Sequence, residues 1–540
     1  MTGPSFDTVH AVFRRAAEQW PDRGALCATP MPGRDYYPDG KEFTYAQAWT
    51  QIEILREHYG AAGVGHGHRV ALLLEQRPEF FFHYLALNGL GCGIVPINPD
   101  YRHDEMLYQM EHSEADIVVS IASRVEDLHR VAAVRGKPLP VVPFENFPQD
   151  LPQLGPAPHS GPPGPHTETS LLYTSGTTGQ PKGCILNNEF YVQAGRWYQS
   201  MGGRLSFATP ERILNPLPFF HVNAQAVCAT ALFLTGGCLI APDRFHPSRW
   251  WQDVVATNAT GMHYLGVVPP LLMNQPVTAE ETQHKLRFGT GAGVEPELHR
   301  LFEERFGFPL VEVWGMTETG RIFADCHEPR RINTRAFGKP LAGLEARVVD
   351  DDDNDVGNGH DGELLVRHSA ETPRKWFFSG YLKNQEETEN SWRDGWFHTG
   401  DTVRQEDDGM MYFVDRKKNI IRRSGENIAA AEIEACLQAH DQVAQVAVLP
   451  IPDDIREEEV LACIVAMPGA PADADQARVL FDWCFARQSY YKAPGWLLFV
   501  DSLPTTGTQK IQKAQIFGAD EDPRENPAIN DFRSLKKRHR

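Results

Sequence analysis

The stretch "LLYTSGTTGQPKGCILNN", Leu171 to Asn188, gathers hydroxyl side chains and glycines around a single lysine, Lys182. Backbone amides in a glycine-rich turn can form a concavity that binds anions. The hydroxyls of Thr174, Ser175, Thr177 and Thr178, with Gly176 among them, add donors, and Lys182 adds a mobile positive charge. The spacing is not that of a G-x-x-x-x-G-K-[ST] loop. The stretch therefore reads as a phosphate cradle of another kind, or as a plain flexible loop, and the surrounding chain has to separate the two.

Immediately before it, residues 150–168, "DLPQLGPAPHSGPPGPHTE", are rich in Pro and Gly and read as a surface linker. Further out, helix-then-strand units recur. "EILREHYGAAGVGHGHRVALLL" reads as helix, glycine turn and buried strand, and "RVALLL", "GIVPIN" and "ADIVVS" are short β-rich runs between helical segments. Such alternation favours parallel sheets covered by helices. "EARVVD" and "GELLVR" flank an Asp/Asn/Gly run and form a hairpin-like pair. Beyond about residue 415 the chain reads as a small α+β unit.

Composition bounds the function. There are 52 Lys and Arg against 71 Asp and Glu, a formal charge of −19. This balance argues against general binding to nucleic acid or anionic membranes. The basic end "KKRHR", Lys536 to Arg540, reads as a solvated tail. Nine cysteines with no C-x-x-C pair suggest free, mostly buried thiols in a reducing compartment. The first twenty residues carry Asp7 and Glu18 without an apolar signal core and read as an amphipathic helix. The apolar runs 80–98 and 224–242 are broken by glycines and polar residues, so each splits into a buried helix, a turn and a strand instead of a membrane span. These features predict a soluble, cytoplasmic protein.

Four further segments bear on the opening loop. "EVWGMTETG" (Glu312 to Gly320) sets Trp314 and Gly315 beside the Thr317–Glu318 pair. An aromatic can stack on a base, and a carboxylate can hold Mg²⁺ alongside substrate phosphates. "GWFHTGD" (Gly395 to Asp401) ends in a carboxylate after a turn, suited to ribose hydroxyls. "DRKKNIIRRSGENIAAAEIE" (Asp415 to Glu434) reads as a basic stretch, a turn at Gly425 and a helix start. "LPTTGTQKIQK" (Leu503 to Lys513) is a Thr/Gly loop carrying Lys510.

In this order the segments resemble the adenylate-forming superfamily of acyl-CoA synthetases, firefly-type luciferases and nonribosomal adenylation domains, over nearly the whole chain. "PLPFFHVNAQ", "FGTGAGVEPELHRLFEERFG" and "TTGTQKIQK" look most like its crotonobetaine/carnitine-CoA ligase-like branch. The resemblance implies an α/β fold. A large N-terminal AMP-binding domain, residues 1–415, would hold helix-covered sheets and a β-barrel-like part. A small mobile α+β domain, residues 416–540, would follow.

It also implies roles. The Thr174–Lys182 loop grips the β- and γ-phosphates of ATP, Thr317 touches the α-phosphate, and Glu318 holds Mg²⁺. Trp314 stands where a tyrosine is usual beside adenine, with Gly291, Ala292 and Gly293 as another wall. Asp401 and Arg416 hold the ribose. Lys510 reaches the substrate carboxylate and α-phosphate in the first step. His221 sits at the acyl pocket, with Val222, Asn223, Gly289, Gly291, Gly315 and Ile322 as further candidates, small and polar residues suiting a compact or aromatic acid better than a long alkyl chain. Lys418 is the hinge, and the loop at Gly425 helps form the thiol tunnel.

The implied reaction joins a small-molecule carboxylic acid, ATP and CoA. The carboxylate attacks the α-phosphorus to give an acyl-adenylate and pyrophosphate, and a thiol then displaces AMP. Such chemistry needs positioning and charge neutralisation, with no covalent nucleophile from the protein. The alternatives are adenylation with a different acceptor, such as a carrier-protein pantetheine, or a non-catalytic nucleotide binder. Two departures stand out. Asn187–Asn188 replaces a usual Thr-His or Ser-His, which removes a pocket histidine, and Gln509 precedes Lys510 where glycine is common.

Overall fold

The computed structural model describes residues 6–149, 151–174, 180–207, 210–416, 420–504, 511, 513–518 and 521–538, with backbone only for Asp415, Arg416, Ala431 and Ala514. The chain divides into two compact units. One comprises Met1–Pro99, Met110–Leu172 and Gly183–Asp415, the other Asp100–Gln109, Tyr173–Lys182 and Arg416–Arg540.

The helices form where apolar residues fall at helical spacing and a cap is present. Val9–Gln19 buries Val9, Val12, Phe13, Ala16 and Ala17 on one face, and the Thr8 hydroxyl accepts from the Ala11 N–H at its start. Tyr45–Ala61 begins with a reciprocal capping box between Thr44 and Gln47. The run 80–98 resolves into the buried helix Glu79–Gly89 and the strand Gly93–Pro96. The run 224–242 becomes Asn223–Ala229, with π-helical bonding, then Thr230–Thr235 and the strand Cys238–Ala241. Among the described residues no helix is long and apolar enough to cross a membrane.

Among the described residues the strands gather into four sheets. The first runs, in spatial order, Gly380–Tyr381, Lys182–Asn187, Glu168–Thr174, Gly93–Pro96, Arg69–Leu73, Ile117–Ser120, Val141–Pro143. The runs "RVALLL", "GIVPIN" and "ADIVVS" are its parallel centre, as expected. The second runs Phe323–Ala324, Leu310–Trp314, Phe288–Ala292, Gly261–Leu265, Arg212–Leu214, Cys238–Ala241, Gly24–Ala28, Lys41–Thr44, parallel except at its two edges. Its core packs Trp250, Trp251, Tyr264, Phe302 and Phe306 against aliphatic neighbours. The third is antiparallel and contains the expected hairpin, Glu345–Val349 against Asp361–Arg367.

The fourth sheet belongs to the second unit, in the order Glu426–Ala429, Ile420–Arg423, Glu457–Ala466, Trp496–Phe499, Asn530–Asp531, with Val443–Asp453 also paired to Glu457–Ala466. The helices Ala430–Gln438 and Ala474–Arg487 bury Ile433, Leu437, Leu480 and Phe481 in this unit's core.

Two expectations are corrected here. Glu426–Ala429 is a strand and not the start of a helix, because Ser424 and Gly425 both take positive φ (51° and 88°) and make a two-residue hairpin turn. The segment 150–168 keeps to the surface as expected, none of residues 151–167 being buried, and within the first unit it is tied down. Leu154 N–H donates to Ala62 O (2.9 Å), His159 N–H to His66 O (3.0 Å), and Asn188 Nδ2 to Gly164 O (3.1 Å).

The other concerns the basic end, because Lys536 is not solvated. Its ammonium is buried and donates to Glu459, whose other oxygen accepts from Arg423 Nε at 2.7 Å. All nine cysteines are free, and eight are buried.

Candidate active site

The candidate residues of the second sheet lie where its parallel strands end. Trp314 closes Leu310–Trp314, and Gly291 and Ala292 close Phe288–Ala292. Ligands in open α/β sheets bind at such carboxyl ends. In the first sheet Thr174 likewise closes Glu168–Thr174, and Lys182, 9% exposed, opens the strand that follows. Ser175, Gly176, Thr177, Thr178, Lys418 and Lys510 lie outside the described residues, as does the side chain of Arg416. Gly425 occupies the hairpin turn of the second unit.

Within the first unit the structure joins residues far apart in sequence. The Trp314 indole N–H donates to Asp401 Oδ2 at 2.8 Å, with both side chains buried. The indole stacks on Phe323, ring centroids 5.4 Å apart. The turn expected in "GWFHTGD" lies at its start, where Asp394 and Gly395 both take positive φ between Arg393 and Trp396, and Asp401 stands further along. It sits inside the continuous strand Trp396–Gln405, whose partner Asp361–Arg367 shifts register between Glu363 and Leu365. A shift of this kind re-aims side chains without ending the strand.

Glu318 is buried, and its Oε1 accepts from the Tyr381 hydroxyl at 2.8 Å. Its own carbonyl accepts from the Phe378 N–H at 2.9 Å. Burial, with the carboxylate beside it second, raises the Tyr381 phenol well above its ordinary range. The phenol therefore stays a donor, leaving Glu318 Oε2 open among the described residues. Thr317, on the same turn, is half-buried and Gly315 exposed. His221 is half-buried, its ring 4.5 Å from that of Phe220.

Sequence reasoning passed over Glu312, which contacts the candidate segment Gly291–Gly293. It is fully buried in the apolar strand "LVEVW", and it accepts from Tyr264 Oη (2.5 Å), Gly293 N–H (2.8 Å) and Val294 N–H (3.2 Å). It thereby pins the Gly291–Gly293 wall. Gly291 has to be glycine, because an added Cβ would stand 2.2 Å from Tyr264 O. A carboxylate inside a hydrophobic strand was the available signal, since buried charge needs partners. Tyr381 carried no local signal. Asn188 does not line this site. It is wholly buried, and its Oδ1 accepts from the Val9 N–H (3.1 Å) and Asn88 Nδ2 (2.8 Å).

Residues 13–382 match the AMP-binding enzyme family, and residues 432–510 match the AMP-binding enzyme C-terminal domain. The chain belongs to this family. It is an AMP-forming acid–thiol ligase, which uses ATP to activate a carboxylic acid and passes the acyl group to a thiol.

The sulfoacetate–CoA ligase of Cupriavidus necator is 30% identical over 521 residues, covering 95% of this chain and 97% of that one. The crotonobetaine/carnitine–CoA ligase of Proteus mirabilis is 30% identical over 495 residues, 88% and 93% of the two chains. The fold matches a double mutant of the o-succinylbenzoate CoA synthetase of Bacillus subtilis with a TM-score of 0.79 at 23% identity, over 93% and 97% of the chains. It also matches ATP-bound MatB of Rhodopseudomonas palustris with a TM-score of 0.64 at 25% identity, over 94% and 98%.

Proposed function

We propose that the acceptor thiol is CoA and that the acid is small and polar. Asp401, oriented by Trp314, binds the ribose of ATP with Arg416. The Gly291–Gly293 wall, held by Glu312, meets the adenine. The Thr174–Lys182 loop and Thr317 take the phosphates. The observation that carries this reading is the pair of oriented carboxylates, Asp401 on Trp314 and Glu318 on Tyr381, in the unit whose second sheet ends at Gly291–Ala292 and Trp314. The 30% identity to two CoA ligases supports the choice of CoA. Transfer to a carrier protein is the other outcome to watch for.

The residues also fit Mg²⁺. This ion takes hard oxygen ligands, commonly one or two carboxylates completed by substrate phosphates. Glu318 offers one buried carboxylate oxygen with its partner oxygen fixed by a phenol. The described residues contain no preformed cluster of three or more such ligands. Glu318 would hold the ion, which would neutralise negative charge on the substrate phosphates.

Exchange of labelled pyrophosphate into ATP across a panel of carboxylic acids tests the first half-reaction, and thioester formation with CoA tests the second. Acid-dependent exchange followed by acyl-CoA is expected. Exchange without thioester would move the acceptor to another nucleophile, and no exchange with any acid would sink the proposal. Glu318→Gln should raise the Mg²⁺ concentration needed for half-maximal exchange by about tenfold or more, because a charged ligand becomes neutral. An unchanged Mg²⁺ titration would remove Glu318 from the metal site.

A further inference from the structure

A chain of buried polar contacts under the strand Gly261–Leu265 fixes the orientation of one partly exposed amide, Asn223. The Leu217 N–H lies 3.0 Å from Asn215 Oδ1. A backbone N–H can only donate, so that atom of Asn215 is the oxygen and its Nδ2 is a donor. Asn215 Nδ2 stands 3.1 Å from Asn223 Oδ1, which must accept. His263 Nδ1 stands 2.8 Å from the same oxygen and must therefore carry a proton. The 3.4 Å approach of Asn215 Nδ2 to His263 Nδ1 is then an edge contact between two donors that share one acceptor.

The other end of the imidazole follows. His263 is wholly buried, and burial lowers its pKa to about 3, so the ring is neutral with a single proton. Its Nε2 is bare and accepts from the Tyr198 hydroxyl at 3.0 Å, whose oxygen accepts in turn from Thr290 Oγ1 at 3.2 Å. Every link runs one way, from Thr290 through Tyr198 and His263 to Asn223. The Asn223 oxygen spends its acceptor capacity on the buried side. Its Nδ2 has no acceptor among the described residues, and Asn223 is partly exposed while Asn215 and His263 are 0% exposed.

We infer that Asn223 is a specificity-determining residue whose Nδ2 donates to an oxygen of the acid other than the carboxylate being activated. His263, Tyr198 and Thr290 are positioning residues that hold this donor. The inference rests on the reading of the chain as an acid–thiol ligase. The preferred acids carry a second acceptor oxygen, as a carboxylate, sulfonate, carbonyl or hydroxyl. A matching alkyl acid leaves this fixed donor without a partner when water is expelled, and sites of this design discriminate strongly.

The test uses the full-length enzyme and pyrophosphate exchange with matched pairs of short acids, each pair differing only by the distal oxygen group. The wild type should favour the oxygen-bearing member by about 10²-fold or more in kcat/KM. Asn223→Leu should bring that ratio to within a few-fold of one, with the KM for ATP as internal reference. Tyr198→Phe should move the ratio the same way by a smaller factor, mainly through the KM for the acid.

Histidine-selective ¹⁵N spectra of the wild type should show His263 as the neutral Nδ1–H tautomer and need no variant. Should Asn223→Leu fail to fold, Asn223→Ser takes its place. Equal rates for both members of each pair, an unchanged ratio in the Asn223 variants, or an Nε2–H tautomer would overturn the inference. Absence of exchange with every acid would instead overturn the ligase reading beneath it.

Discussion

Glu459→Ala should lower the stability of the C-terminal unit by about 3–5 kcal/mol, the range for removing one partner of a buried ion pair. Glu459 accepts from Arg423 Nε at 2.7 Å, from the Val460 N–H at 2.9 Å and from the Lys536 ammonium. None of the three side chains has appreciable contact with water. Burial, and then the neighbouring Arg423 guanidinium, push the Lys536 ammonium down to about 7. Near neutral pH the cluster therefore holds one guanidinium, one carboxylate and a lysine at the edge of losing its proton. Alanine removes the carboxylate and strands a buried guanidinium. Denaturant unfolding followed through the tryptophans of this unit measures the loss. A loss below about 1 kcal/mol would mean that water or the tail rearranges to solvate Arg423.

Lys510→Ala should cut acyl-adenylate formation by about 10²–10³-fold, the usual effect of losing one positioned group that stabilises developing charge. The second half-reaction should survive, because a thiol displacing AMP does not need a cation at the attacking carboxylate. Single-turnover formation of adenylate from ATP, compared with thioester formation from supplied acyl-adenylate and CoA, separates the two. Equal damage to both halves would show that Lys510 serves the fold or a general electrostatic field. The assignment comes from the resemblance of "TTGTQKIQK", and the departure at Gln509 leaves the lysine itself in place.

Local pattern revealed much of this molecule. The runs at 69–74, 93–98 and 115–120 are apolar and bounded by turns, and they became central parallel strands because nothing distant could change their character. What failed depended on partners far along the chain. In "GWFHTGD" the turn at Gly395 was legible, but pairing with Asp361–Arg367 carries the strand on through Gly400 to Asp401 and beyond. "KKRHR" looks solvated because the carboxylate that buries Lys536 lies 77 residues earlier. Tyr381 orients Glu318 across 63 residues, and no spacing rule reaches that far.

The strap formed by residues 151–167 has the composition of a segment whose length drifts freely between relatives. Its attachments say otherwise. Leu154, His159 and Gly164 meet Ala62, His66 and Asn188 at fixed intervals, so inserting or deleting one residue would break every attachment beyond it. Individual side chains there can vary widely, because two of these three bonds are backbone to backbone and the third uses a backbone carbonyl. The number of residues cannot vary so freely. Selection on this stretch should act on its count more than on its letters.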